Sequence, residues 1–247
     1  MLRHNYSSGI DMASISNSTL SNQIGTLKEK SLHAELKDWF KIPGDKIETP
    51  IDGYIIDIVR GKLLIEIQTQ NFSAIRKKLE NLLKRYEVRL IYPIVQKKWI
   101  VCLDQTGAQV TKRRLSPKHN SFADIFEELI WIPHIILNSN LSIEALIVHV
   151  EETRLNNGKG SWRRKGWSIV DRKLVNIIDQ KRFHEPNDFL TLIPKNLKFP
   201  FTNFELSKAL QKSIGLARKM TYCLRKINIL KVIGKRGKAF LFDLSLT

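Results

Sequence analysis

The residues best equipped for chemistry lie between Asp52 and Gln70, in the stretch DGYIIDIVRGKLLIEIQTQ. Two apolar, β-branched runs, 54–59 and 63–67, flank Arg60-Gly61-Lys62, a short turn signal of the kind that joins antiparallel strands. Each run carries an acid where a buried strand would place an aliphatic residue: Asp57 in the first and Glu66 in the second, with Gln68 two places on. Side chains alternate along a strand, so Glu66 and Gln68 share a face. A turn at Arg60-Gly61 pairs Asp57 with Leu64, and a turn at Gly61-Lys62 pairs it with Glu66. In both registers Asp57 falls on the face of Glu66 and Gln68, while Asp52 falls on the other. Two carboxylates converging on one side of a hairpin make a poor core and a good site for a hard divalent cation such as Mg²⁺.

The elements that must position these groups follow from apolar spacing. Residues 26–41 read as a helix, with Leu27, Leu32, Leu36 and Phe40 on one stripe and Pro43-Gly44-Asp45 ending it. Glu35 on that helix and Glu48 in the extended link that follows are candidate third carboxylates. Residues 71–86 read as a second helix, capped by Asn71 or Ser73, with Phe72, Ile75, Leu79, Leu82 and Leu83 at helical spacing. Arg76, Lys77, Lys78, Lys84 and Arg85 decorate its remaining surface. Strands are expected over 89–95 and 99–103. The order helix, hairpin, helix, strand, strand is an α/β unit whose helices can cover both faces of a small mixed sheet.

This order and these residues resemble the PD-(D/E)xK nuclease superfamily, the restriction-endonuclease-like fold, over residues 26–104. The resemblance puts Asp57 at the family's first acidic position, Glu66 at the second and Gln68 where the third is most often Lys. It implies Mg²⁺ or Mn²⁺ held by Asp57, Glu66 and the Ile67 backbone carbonyl around a scissile phosphate. Gln68 would orient the attacking water by hydrogen bonding, since an amide cannot act as a base at neutral pH.

Charge points to the same class of partner. The chain of 247 residues carries a net charge of +17, and residues 202–247 alone hold ten Lys and Arg against two acids. A polyanion is the natural partner, and nucleic acid the commonest one. No apolar run approaches the roughly 20 residues of a spanning helix, so no membrane partner is expected. Cys102 and Cys223 lie far apart in apolar surroundings and read as reduced thiols of a cytoplasmic protein. Residues 1–25, rich in Ser and Asn, read as a disordered leader.

Residues 105–185 read as a basic α+β connecting region. It holds an amphipathic helix at 121–131, strands at 145–150 and 167–170, and the Gly-rich loop 156–166, whose Trp162, Arg163, Arg164 and Lys165 suit contact with phosphates and an exposed base. His134 and His149 read as core histidines.

Residues 186–247 carry the most specific pattern. Thr202-Asn203-Phe204-Glu205 is a capping box that opens a helix through Leu210. A turn at Ser213-Ile214-Gly215 leads to a second helix, 216–227, with Ala217, Met220, Leu224 and Ile227 inward and Arg218, Lys219, Tyr222, Arg225 and Lys226 outward. Strands at 230–233 and 239–244 flank the basic tip Lys235, Arg236 and Lys238. This segment resembles a winged helix-turn-helix DNA-binding domain. The resemblance implies that Arg218, Tyr222 and Arg225 meet bases or phosphates while Lys235, Arg236 and Lys238 hold the backbone.

The expected fold is thus α/β (α+β), a restriction-endonuclease-like core with a C-terminal winged helix. The expected function is metal-dependent hydrolysis of double-stranded DNA, and a homodimer of such cores would let both strands be cut. A DNA-binding regulator whose nuclease fold no longer cleaves is the alternative that Gln68 keeps open. An RNA-processing nuclease is the third.

Overall fold

The hairpin at the centre of the sequence sets the topology. Gly61 adopts φ 57° and forms a two-residue turn with Lys62, so that Arg60 pairs with Leu63 and Ile58 with Ile65. This selects the second of the two registers the sequence leaves open. The computed structural model describes residues 31–245, and both the Ser- and Asn-rich leader and the expected start of the first helix lie outside them.

Within that span the elements are α1 (Ser31–Phe40), β1 (Lys46–Ile51), β2 (Tyr54–Arg60), β3 (Leu63–Ile67), α2 (Phe72–Leu82), β4 (Glu87–Leu103), β5 (Val110–Leu115), α3 (Phe126–Leu129), β6 (Leu141–Asn156), β7 (Trp167–Phe183), α4 (Pro186–Leu190), α5 (Asn203–Leu210), α6 (Ile214–Lys226), β8 (Leu230–Arg236) and β9 (Ala239–Leu244). Seven strands form one mixed sheet in the order β1-β2-β3-β4-β6-β7, with β5 pairing the distal half of β4. β3, β4 and β6 run parallel, and β1–β2, β2–β3 and β6–β7 are antiparallel.

Strict alternation on β3 feeds two cores, as expected of a strand covered on both faces. Leu64 joins Ile75, Leu79, Leu82 and Leu90 under α2, whereas Ile65 and Ile67 join Leu32, Leu36, Ile91 and Leu146 under α1. The cap of α2 is not the expected one. Asn71 makes no side-chain capping bond, and the Phe72 N–H instead donates at 2.8 Å to Oε2 of Glu128 in α3. A carboxylate there satisfies an orphan N–H and opposes the positive end of the helix dipole.

The sheet also crosses the domain boundary read at residue 104. β6 lies between β4 and β7, so the segment 105–185 supplies one interior strand, the edge strand β7 and the short strand β5 of the same sheet rather than a connector. At the C-terminus the capping box is present: the Thr202 N–H donates to Glu205 Oε2 at 2.7 Å and the Glu205 N–H to Thr202 Oγ1 at 3.3 Å. α5 and α6 pack together, the hairpin β8–β9 follows, and a bridge between Phe201 and Phe242 adds a third strand stub. Phe201, Met220 and Leu224 belong to the same continuous core as Leu64 and Phe126, so α3 joins the C-terminal module to the sheet.

Candidate active site

The β2–β3 ladder ends at Ile58 and Ile65, and the strands part where Asp57 faces Glu66. The Asp57 side chain fills the vacated ladder position: Ile67 N–H donates to its Oδ2 at 2.8 Å. Strand β1 is distorted at the same level. Glu48 takes φ 47° between the paired residues Ile47–Ile58 and Thr49–Ile56. Ile47 and Ile58 pack with the α1 core, whereas Ile51, Tyr54 and Ile56 pack with the α2 core. Both strands therefore switch faces across the Glu48–Asp57 level, a tight local twist of the kind seen at irregular sheet edges beside sites. Simple alternation would put Asp57 squarely on the α2 face. The twist sets it in the seam, within reach of both helices.

From α1, His33 Nε2 lies 3.3 Å from Asp57 Oδ2. From α2, Lys78 Nζ lies 2.7 Å from Glu66 Oε1 and donates to the Ile55 carbonyl at 2.6 Å. The Lys78–Glu66 contact is a close, largely buried ion pair. Glu66 is only 4% exposed. Burial pushes its carboxyl up to about 7, with help from the charge of Asp57 and against the Lys78 charge and the hydrogen bonds from Lys78 and the Asp57 backbone. Burial also raises Asp57, but the His33 and Ile67 hydrogen bonds and the charges of His33 and Lys78 outweigh it, so Asp57 sits below its ordinary value. The pair is one firmly ionised carboxylate beside one poised near neutrality.

The remaining candidates are placed as follows. Gln68 extends β3, its N–H donating to the Ile91 carbonyl at 2.9 Å, and its amide nitrogen is turned onto the carbonyls of Gln70 at 2.5 Å and Asn71 at 3.1 Å. It therefore braces the entry to α2. Glu48 pairs with Lys37 at 2.6 Å. Glu35 accepts the Leu174 N–H at 2.5 Å and covers part of the edge strand β7. Among the described residues, no group of three or more His, Cys, Asp or Glu side chains is arranged to share an ion.

Sequence reasoning missed Lys78 and His33. Lys78 stands three residues after Ile75 and directly before Leu79, on the flank of the apolar stripe of α2. His33 stands three before Leu36 in the same relation to α1. The usable signal was a charged residue bordering a core stripe rather than opposite it.

The basic candidates form two separate displays. Arg163, Arg164 and Lys165 sit at the tip between β6 and β7. Arg218, Tyr222, Arg225 and Lys226 line the exposed face of α6, while Lys219 pairs with Glu127 beside α3. Lys235 and Lys238 are exposed at the β8–β9 tip, and Arg236 pairs with Glu205 at 2.7 Å. Glu127 and Glu128, neighbours in sequence, thus tie α6 and the start of α2 to the same short helix. Cys223 is buried, which pushes its thiol up to about 12, and both cysteines are free. Among the described residues no helix is long and apolar enough to cross a membrane.

The family model described as Domain of unknown function (DUF8091) matches residues 30–184. The chain belongs to this family. The DUF8091 match runs from α1 to the end of β7, so it contains His33, Asp57, Glu66 and Lys78, and the α5–α6 module lies beyond it. A protein of Treponema pallidum (strain Nichols), titled "Uncharacterized protein", is 28% identical over 221 residues, which cover 89% of this chain and 86% of the relative. No solved structure matches.

Proposed function

We propose that this DUF8091 protein is a metal-dependent DNA endonuclease of the restriction-endonuclease-like type, guided to duplex DNA by a C-terminal winged helix. The observation that carries the reading is the meeting of Asp57, Glu66 and Lys78 where β2 and β3 part. A buried acid whose carboxyl stays raised to about 7 even with the Lys78 ammonium 2.7 Å away is costly to keep unless it has a task. The donor set fits a hard cation, because Mg²⁺ is commonly bound by one or two carboxylates, with waters and substrate phosphates completing its shell. Asp57, Glu66 and the Ile67 carbonyl would hold it, and the chemistry it would supply there is polarisation of a phosphate and activation of a water.

The rest is the work of the chain's own side chains. His33 and the Ile67 amide fix Asp57 in its ionised form and in one orientation. Lys78 places a cation beside Glu66, in the role the PD-(D/E)xK superfamily most often gives to the residue matched here by Gln68. In that position its ammonium can meet a non-bridging phosphate oxygen and stabilise charge as it develops. Arg218, Tyr222 and Arg225, one stripe on α6, would face the major groove, with Lys235 and Lys238 on the backbone.

The test is incubation of supercoiled plasmid with the full chain and Mg²⁺ or Mn²⁺. Nicks or cuts that need the metal and vanish in Asp57→Ala and Glu66→Ala support the reading. Cutting by those variants at the wild-type rate refutes it. One observation favours a second reading, a DNA-binding regulator that does not cut: Gln68 spends its amide on loop carbonyls. Tight, salt-sensitive duplex binding without cuts would be its signature.

A further inference from the structure

The tip joining β6 to β7 is an ordered loop that holds an aromatic ring out into solvent. Trp162 is 83% exposed there, a position that water strongly disfavours for the largest aromatic side chain. The loop that holds it out is tightly organised. Gly160 N–H donates to the Gly166 carbonyl at 2.9 Å, and a Cβ on Gly160 would lie 1.9 Å from the Trp167 carbonyl oxygen, so only glycine fits. Arg164 and Lys165 N–H groups donate to Ser161 and Trp162 carbonyls at 2.9 and 3.0 Å, closing one 3₁₀ turn. Arg164 Nε donates to the Trp167 carbonyl at 3.2 Å, and Ser168 Oγ to Asn157 Oδ1 at 2.7 Å, which ties the two sides of the loop together.

What the loop displays is selective. Residues 156–166 contain four cations, Lys159, Arg163, Arg164 and Lys165, no acid, and no apolar side chain besides Trp162. The Arg163 guanidinium lies 5.4 Å from the Trp162 ring centroid. A membrane-seeking tip needs a contiguous apolar area, which a single ring amid Asn, Ser and Gly does not supply. A nucleobase needs one flat ring to stack on and cations for the phosphates on either side, and that is what is present.

We propose that the Trp162 tip is a stacking site for an unpaired base, with Arg163 and Lys165 contacting the flanking phosphates. The substrate class is then DNA with an unpaired segment beside a duplex, such as a fork or flap. This rests on the nucleic-acid reading above and refines its substrate.

The test compares the full chain with Trp162→Ala and Trp162→Phe, by anisotropy of labelled fork, single strand and blunt duplex of one sequence at fixed salt. The expected result is that Trp162→Ala binds fork and single strand roughly 10-fold more weakly, with blunt-duplex affinity changed less than about 2-fold, and that Trp162→Phe restores most of the loss. Equal binding of all three DNAs by wild type and Trp162→Ala overturns the proposal while leaving duplex cleavage intact. No binding to any DNA, together with Trp162-dependent binding to phosphatidylserine vesicles, would overturn this proposal and the nuclease reading together.

Discussion

Two carboxylates, Glu66 and Glu152, are buried in the same sheet and treated in opposite ways. Glu152 is fully buried and surrounded by cations: Arg154 Nη2 at 2.6 Å, Arg172 Nε at 2.8 Å and Lys98 Nζ at 3.2 Å. Burial raises its carboxyl, but the Arg154 and Arg172 hydrogen bonds and the surrounding positive charge bring it down to about 2. Glu66 has a single cation, Lys78 at 2.7 Å, and an acid as its neighbour, and is pushed up to about 7. The first arrangement completes a polar network and anchors β4, β6 and β7. The second leaves an unmet demand for positive charge at a place where two strands separate. Burial of a charge alone therefore says little about function, and the completeness of its partners says a great deal.

Removing each acid should break the comparison in different ways. Glu152→Ala leaves three cations clustered without their anion and should cost about 3–5 kcal/mol of stability in urea denaturation. Glu66→Ala should leave stability nearly unchanged or improved, because a buried carboxyl raised to about 7 is removed and Lys78 keeps the Ile55 carbonyl as a partner, and should lower metal-dependent cleavage on the order of 100-fold or more if the proposed role holds. A Glu66→Ala variant that unfolds as readily as the Glu152→Ala variant would show both acids to be structural.

The pH dependences should have opposite signs. Glu152 is held below its unfolded value of 4.5, so its stabilisation is complete above pH 4.5 and disappears as the pH falls towards about 2. Glu66 is held above its unfolded value, so its contribution is greatest below pH 4.5 and is lost as the pH rises through about 7. Cleavage should follow the opposite course and rise through about pH 7, since only ionised Glu66 can hold a cation. Lys78→Met removes the charge that lowers the Glu66 carboxyl, so it should move this profile to higher pH as well as slow cleavage about 10-fold. A slower enzyme with an unshifted profile would leave Lys78 acting on the phosphate alone. The smallest effect belongs to α6, where Arg218→Ala or Arg225→Ala should each reduce the salt slope of duplex binding by about one, with cleavage chemistry unchanged.

Much of the hairpin was legible because period-two alternation and a Gly turn are local signals. The hairpin itself, the separate faces of Leu64 and Ile65, and the Thr202–Glu205 cap needed no knowledge of distant residues, whereas the register stayed open between two turns until the Gly61-Lys62 turn decided it. What was not legible depended on partners far along the chain. The break at Gln96-Lys97-Lys98 looks like a turn between two strands. β4 nevertheless runs through it as one strand, because β6 pairs along its full length and accommodates the irregularity between Val95 and Lys97. The charged run Glu151, Glu152 and Arg154 resembles a loop in isolation, and becomes strand only because Lys98, Arg113 and Arg172 answer it from neighbouring strands. Glu35 and Glu48 read as candidate third carboxylates, yet Leu174 and Lys37 engage them. The twist at Glu48–Asp57, which brings Asp57 within reach of both His33 and Lys78, has no local sequence signature at all.

The most direct test of the contrast is calorimetric titration of Mn²⁺ into the wild-type chain and the Glu66→Gln and Glu152→Gln variants at about pH 7.5, just above the Glu66 carboxyl's value of about 7. The account predicts saturable binding by wild type and by folded Glu152→Gln, and loss of that binding in Glu66→Gln. Binding by Glu66→Gln with wild-type affinity would contradict it.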